Sequence, residues 1–264
     1  VAKGFGGYKG NFTTEVQIGA EEETRTIKHG AIIVATDANE YRPKEYFYGE
    51  DDRVVTQIEL ADRIEDKGAS DLGTVAMIQC VGSRNDEMQE CSRICCQSAV
   101  KNALHIKKEN PDTNVFVMYR DMRTYGLLED YYKEARDKGV FFIRFDHDAP
   151  PAVEASPDGI HVTIKDHILQ RDITITADIL ALSAGIRAAD TDELSGIMKL
   201  NRNQEGYFIE AHVKLRPVDM PGEGIFLCGM AHGPKLISEA ISQSQAAASR
   251  ATTFLANSEI TLSA

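Results

Sequence analysis

The stretch Val75-Ala-Met-Ile-Gln-Cys-Val-Gly-Ser-Arg-Asn85, followed after five residues by Cys91-Ser-Arg-Ile-Cys-Cys96, decides how this chain reads. Residues 75–79 form a short apolar, strand-like run, and a helix-like run begins at Ser92. A strand that turns into a helix is where a dinucleotide-binding unit keeps its phosphate loop, normally G-x-G-x-x-G. Here residues 80–85 hold a single glycine, Gly82, and the segment carries four of the chain's five cysteines, Cys80, Cys91, Cys95 and Cys96, spaced C-x10-C-x3-C-C. Thiols standing where glycines would approach a pyrophosphate point to electron transfer rather than nucleotide binding. Gly82-Ser-Arg84 reads as a turn in preference to a small anion nest.

Outward from this stretch, strands and helices alternate. A helix is predicted over Ser92–Glu109, stopped by Asn110-Pro111. Val115–Tyr119 reads as a strand, Leu127–Lys138 as a helix closed by Gly139, and Val140–Arg144 as a strand. Ile160–Ile164 and Ile173–Ile175 alternate like a hairpin, and Ile179–Ser183 is again a buried strand. Short, continuously apolar strands alternating with helices imply a parallel sheet covered on both faces.

Upstream, residues 1–30 read as short strands with polar turns, Gly30–Thr36 as a buried strand and Thr56–Ile64 as a short helix, with a linker at Lys67–Ser70. Downstream of a mixed polar stretch (186–222), Gly224–Cys228 is a last buried strand, and a turn over Gly229–Lys235 opens a long helix from Leu236 to Leu255. The small residues Ala246, Ala247, Ala248 and Ala251 predict close packing of that helix on a sheet. Cys228 reads as core.

The formal charge of −12 argues against nucleic acid as a main partner. No apolar run approaches about 18 residues, so no membrane span is expected. The start, Val1-Ala-Lys-Gly4, lacks a signal-peptide layout and an initiator methionine, which fits processing or a partial chain. Five cysteines, an odd count with four of them clustered, suit a reducing interior, cytoplasmic by default, better than a secreted disulfide scaffold.

Four thiols in this setting fit an iron–sulfur cluster, a structural zinc, or plain redox or core cysteines. Cys91 and Cys95, four apart, would share a helix face with Cys96 rotated off it, while the helix start, Arg84 and Arg93 supply positive potential. A loop carrying Arg120, Asp121, Arg123 and Tyr125 leaves a strand's C-terminal end, where it would orient the cysteine segment, bind a partner or form a solvated salt-bridged loop. His212 and His232 lack a second histidine at ligand spacing.

Three blocks carry a family likeness: Cys80–Asn85 with Cys91–Cys96, Tyr119-Arg-Asp-Met-Arg-Thr-Tyr-Gly126, and Glu210–Asp219 continuing to Gly224–Lys235. Together they resemble the HdrA family, the flavin and iron–sulfur component of anaerobic heterodisulfide reductase. The likeness runs from Gly10 to about Leu255. It implies an α/β fold of two dinucleotide-binding-type (Rossmann-like) domains of the thioredoxin reductase class, with the flavin domain incomplete in this chain. The implied division is a flavin-type first part at 1–67, a nicotinamide-type domain carrying the cysteines at 68–186, and a flavin-type second part at 187–264.

The resemblance also implies cofactors and roles. Cys80, Cys91, Cys95 and Cys96 would ligate a [4Fe–4S] cluster. Ala35, Thr36, Lys214, Gly229, His232, Gly233 and Lys235 would approach FAD, with Lys235 or Lys214 stabilising a reduced flavin and Gln243 facing the cofactor or lining the helix. The chain would be an oxidoreductase component, working within a complex of electron-transfer subunits.

Three departures from the family pattern stand out. The glycine-rich FAD fingerprint of an N-terminal βαβ unit is not in this sequence, so the flavin site would be completed by an N-terminal segment in the same or another chain. The usual Ala-Thr-Gly reads Ala35-Thr36-Asp37, and a ferredoxin insertion expected between Phe12 and Ala31 is missing. The chain thus looks like the C-terminal two-thirds of a short form. Two rivals remain: a scaffold module whose thiols hold zinc or nothing, and a pyridine-nucleotide dithiol oxidoreductase, which would need a C-x-x-C pair and a nucleotide fingerprint.

Overall fold

The structure is a computed structural model that describes residues 1–19 and 23–256. Residues 257–264, grouped with the second flavin-type part on sequence grounds, lie outside the described residues. The chain divides into two compact units, one built from residues 1–39 and 186–264, the other from 40–185.

The first unit opens with an antiparallel meander of β1 (Ala2–Tyr8), β2 (Asn11–Ile18) and β3 (Glu23–His29), followed by β4 (Ile32–Val34) and β5 (Ala38–Glu40). The buried strand predicted over Gly30–Thr36 is only three residues long, and of these Val34 alone is buried, with Ile33 43% exposed.

In the second unit β6 (Val54–Thr56) runs into α1 (Gln57–Lys67). Thr56 starts the helix with a reciprocal cap: its hydroxyl accepts the Glu59 N–H at 3.3 Å, and the Glu59 carboxylate accepts the Thr56 N–H at 2.8 Å. Thr56→Ala is expected to cost about 1–2 kcal/mol, measured by chemical denaturation. Then follow β7 (Thr74–Val81), α2 (Cys95–Glu109), β8 (Asn114–Tyr119), α3 (Glu129–Asp137), β9 (Phe141–Arg144), β10 (Ala152–Ser156), β11 (Gly159–Asp166), β12 (Arg171–Ala177) and β13 (Ile179–Ala184).

Strands β6, β13, β7, β8 and β9 form one sheet in that order, all parallel. Alternation sends Val75, Met77, Val115, Val117, Ile179 and Ala181 into one core with Leu60, Ile64, Ala99, Ala103 and Ile106 of the helices. Ala76, Ile78, Met118, Leu180 and Leu182 enter a second core with Ile160, Val162 and Ile164 of β11. Helices therefore cover one face and an antiparallel sheet, β10-β11-β12, covers the other. Both faces of β7 and β13 are buried, which is why their sequences read as continuous apolar runs. Each fully buried aliphatic side chain contributes about 1.5–3 kcal/mol of transfer free energy.

Several predicted boundaries move. The helix predicted from Ser92 begins at Cys95, and the one predicted from Leu127 starts with a tight turn over Gly126–Leu128 before α3. The predicted hairpin gains a third strand, β10, whose exposed Ala152, Glu154 and Ala155 hide its period beside Pro150-Pro151. Residues 40–67, grouped with the flavin-type part on sequence grounds, fall in the second unit because β6 pairs with β13.

The chain returns to the first unit through β14 (Ile186–Ala188), which pairs with β5, then α4 (Asp192–Met198), β15 (Ile225–Leu227) and α5 (Ile237–Leu255). Of the four alanines expected to pack closely, Ala247 and Ala251 are buried against Val218, Phe226 and Cys228, while Ala246 and Ala248 face solvent. Asp219, 4% exposed, receives Arg250 of α5 at 3.0 Å and Arg216 at 3.3 Å. Burial pushes its pKa up, but the hydrogen bonds and charges of Arg250 and then Arg216 outweigh that and hold it below the usual value. Because the folded value is depressed, this pairing stabilises fully above the unfolded carboxylate pKa of about 3.9 and fades as pH falls below it. Asp219→Asn is expected to lose about 1–3 kcal/mol near neutral pH, with the gap to wild type closing in acid denaturation curves.

Candidate metal centre

The cysteine segment starts at an irregularity in the sheet. β13 pairs with β7 in steady register up to Leu182↔Ile78, then resumes at Ala184↔Val81. Gln79 and Cys80 thus stand opposite Ser183 alone, a bulge, and Cys80 has a left-handed φ of 65°. The extra residue shifts the alternation: Ala76, Ile78 and then Val81 enter the β-covered core, and Cys80 is turned out at the C-terminal end of the strand.

Beyond Val81 the backbone winds through further left-handed residues, Gly82 at 65° and Arg84 at 57°. The ring of Tyr41 lies so close to Gly82 that a Cβ there would overlap it at 2.1 Å. An aromatic ring therefore packs where a dinucleotide would have to approach this loop's glycine. Buried Met88 anchors the next stretch, its N–H bonded to Asn85 Oδ1 at 2.8 Å. Cys91 lies in this irregular segment, so the helical face that four-residue spacing predicts for Cys91 and Cys95 does not form. Instead Cys91 Sγ accepts the N–H of Arg93 at 3.3 Å, with Arg93 itself left-handed at 61°.

Cys95 and Cys96 open α2. The Cys95 thiol donates to the Ala184 carbonyl at 3.5 Å, and the Cys96 thiol to that of Asp121 at 3.8 Å. Arg84 Nη1 reaches Cys80 Sγ at 3.9 Å. Burial pushes the Cys95 thiol well up, and charge on Cys96, Cys80 and Cys91 pushes it further. Cys96 is raised to about 11, chiefly by burial, with Cys80 and Cys91 adding to it against a backbone hydrogen bond at Arg123. All four predicted ligands are thus brought into one electrostatic neighbourhood. Among the described residues, no three His, Cys, Asp or Glu side chains converge around a single ion. A tetrahedral zinc would draw sulfurs to roughly 3.8 Å of one another, given Zn–S of about 2.3 Å.

The loop after β8 clasps this segment. Arg120 donates to the carbonyls of Ser83 at 3.0 Å and Arg84 at 2.9 Å, and its Nη1 lies 2.6 Å from His147 Nδ1. Asp121 pairs with Arg84 at 2.6 Å, Tyr125 accepts from Arg93 at 2.9 Å, and the Arg123 carbonyl accepts from Gln97 at 2.8 Å. The loop is thus bonded to the cysteine segment, partly through an exposed salt bridge between Asp121 and Arg84. Two polar residues that sequence reasoning passed over also stand here. Gln79 and Ser183 are 2% and 1% exposed, yet neither Gln79 amide atom nor Ser183 Oγ has a hydrogen-bond partner. The available signal was a polar residue in phase with the apolar ones at the end of each buried strand.

In the first unit, parallel pairing of β15 with β4, ending at Leu227↔Val34, delivers Ala35-Thr36 and Gly229–Lys235 to the same edge. Gly229 (φ 69°) and Gly233 (φ 144°) have open space where a Cβ would point. His232 is held on both ring nitrogens: Nε2 meets Glu210 at 2.8 Å, and Nδ1 meets Gln243 Nε2 at 2.7 Å. Gln243 Oε1 in turn accepts the Gly229 N–H at 3.0 Å, so Gln243 braces the turn. Lys235 donates to the Gly233 carbonyl at 3.0 Å. Glu239 accepts the Leu236 N–H at 2.8 Å, so the start of α5 already has a carboxylate of its own. Lys214 sits in an exposed turn closed by Arg216 N–H to His212 C=O at 2.9 Å. Asp37 is exposed and accepts its neighbour's N–H, from Ala38, at 2.8 Å.

No family model matches the chain. Over 92% of its length it is 32% identical to the A-type subunit of the ferredoxin:CoB-CoM heterodisulfide reductase of Methanosarcina acetivorans. Over 95% it is 36% identical to a second A-type iron-sulfur subunit, that of the CoB–CoM heterodisulfide reductase of Methanopyrus kandleri. The chain spans only 36% and 40% of the length of these two relatives. Among solved structures, a thioredoxin reductase from Lactococcus lactis is similar with a TM-score of 0.59 and 18% identity, covering 97% of this chain and 74% of that one. The fold is therefore the two-unit α/β architecture of the thioredoxin reductase class. Among the described residues no helix is long and apolar enough to cross a membrane.

Proposed function

The chain belongs to the HdrA family of heterodisulfide reductase subunits, and from that premise we propose that it is the cluster-bearing part of an electron-transfer oxidoreductase. In this proposal Cys80, Cys91, Cys95 and Cys96 hold a [4Fe–4S] cluster. FAD is held at the edge of the other unit, completed by sequence beyond these 264 residues. The observation that carries it is the gathering of four thiols around one bulge and one helix start, with Cys80 on the bulge and Cys95 and Cys96 opening α2. A multi-iron centre suits that donor set, because it takes thiolate ligands and supplies the positive charge four thiolates need.

When bound, the cluster would exchange single electrons and the flavin would convert between one- and two-electron steps. The chain's own residues do the positioning. Cys80 is aimed by its bulge, Cys91 is steadied by the Arg93 N–H, and Arg84 offers charge beside Cys80. The Arg120 clasp fixes the intervening loop, and Tyr41 fills the space beside Gly82. In the other unit, Ala35, Thr36, Gly229 and Gly233 would line the flavin edge, and His232 would brace the turn through Gln243. Lys235 and Lys214 would offer positive charge to a reduced flavin. The partners would be further electron-transfer subunits of a heterodisulfide-reductase-like complex, with the activity arising in that complex.

The test is metal and flavin analysis of anaerobically purified protein. About four irons per chain with sulfur-to-iron charge-transfer absorbance supports the proposal. Stoichiometric zinc without a redox signal would favour a scaffold module instead.

A further inference from the structure

The cysteines are not the only unusual chemistry at the bulge. β7 sends Val75 and Met77, and β13 sends Ile179 and Ala181, into the core beneath the helices. The next residues in phase on that face are Gln79 and Ser183. They sit at the C-terminal ends of the two strands, the edge from which α2 sets out with Cys95 and Cys96. Gln79 directly precedes Cys80, and Ser183 directly precedes Ala184, whose carbonyl accepts from the Cys95 thiol. Opposed across the bulge, both residues are essentially shielded from solvent, and three of their polar atoms lack a partner. Buried polar groups in native proteins are almost always hydrogen-bonded, so a pair left open on one face marks a place where something else accepts their protons.

We propose that the Gln79 amide and the Ser183 hydroxyl are hydrogen-bond donors to the sulfur atoms of the centre held by the four cysteines, and that they set its reduction potential. The inference rests on the cluster reading above and deepens it. Reduction adds negative charge, and N–H and O–H dipoles aimed at sulfur favour the more negative state, so these two donors raise the potential. They are positioning residues, buried enough that each dipole is weakly screened.

The experiment is an anaerobic, EPR-monitored redox titration of the full chain carrying Gln79→Met, Ser183→Ala, or both. Methionine keeps much of the glutamine's volume without its donor, and Ser183→Ala is the mildest change available should Gln79→Met disturb folding. The expected result is iron content equal to wild type and a midpoint potential shifted to more negative values in each variant, with the larger shift in the double variant. Variants that keep full iron at an unchanged potential overturn the assignment of Gln79 and Ser183 while leaving the cluster standing. Wild-type protein that holds no iron overturns the cluster itself and this inference with it.

Discussion

Replacing Cys95 by serine is expected to strip the chain of iron, from about four per chain to near none, while leaving its circular dichroism unchanged. Cys95 is the first residue of α2, and burial first, then charge on Cys96, Cys80 and Cys91, pushes its thiol well up. A thiolate at this buried position needs an inorganic partner to offset its charge. Serine preserves volume and the hydrogen bond to the Ala184 carbonyl, so the fold has little reason to respond. Cys228→Ser is the matching control. That side chain is buried with Phe226 and Ala247 in the other unit, so the substitution is expected to keep iron and lose about 1–3 kcal/mol of stability. Iron retained in full by Cys95→Ser would remove this residue from the ligand set.

Gly82→Ala is expected to destabilise the protein by about 2–6 kcal/mol. Two costs combine. A side chain at φ 65° carries a backbone cost of about 1–3 kcal/mol, and the new Cβ would sit 2.1 Å from the Tyr41 ring, adding overpacking of about 1–3 kcal/mol. Tyr41 is tied at both ends: its hydroxyl donates to Glu45 at 3.3 Å and its N–H to the Gly185 carbonyl at 2.7 Å. Gly139→Ala separates the two terms: its φ is 80°, but open space surrounds it, so only the backbone cost should appear. Combining Gly82→Ala with Tyr41→Ala should relieve the overlap and leave the φ cost. Denaturant midpoints followed by far-UV circular dichroism measure all four proteins. A Gly82→Ala midpoint no lower than that of Gly139→Ala would show that Tyr41 yields without cost.

Much of the second unit was legible from residue types alone. Val75–Gln79 and Ile179–Ser183 announce strands buried on both faces, and Asn110-Pro111 ends a helix where α2 does end. The candidate ligands were equally visible, since four cysteines within seventeen residues after a buried strand have few structural uses. Their arrangement was not. Helical spacing pairs Cys91 with Cys95, yet α2 starts only at Cys95, because Arg93 takes a left-handed conformation and Cys91 is held by a backbone N–H. The clasp by Arg120 was equally hidden, because it spans 36 residues between a side chain and a backbone carbonyl.

The residues along the chain determined, without help, that this protein has a parallel sheet, a short helix near Thr56–Ile64 and a concentration of thiols in place of a glycine-rich loop. Those properties depend on local preferences and on the period of burial, which neighbouring residues carry. Only the tertiary structure decided that Cys80 leaves the strand's alternation and that Gln79 comes to oppose Ser183. It also decided that Tyr41 covers Gly82. The reason is that register is a relation between two strands about a hundred residues apart, and a bulge exists only once they have paired.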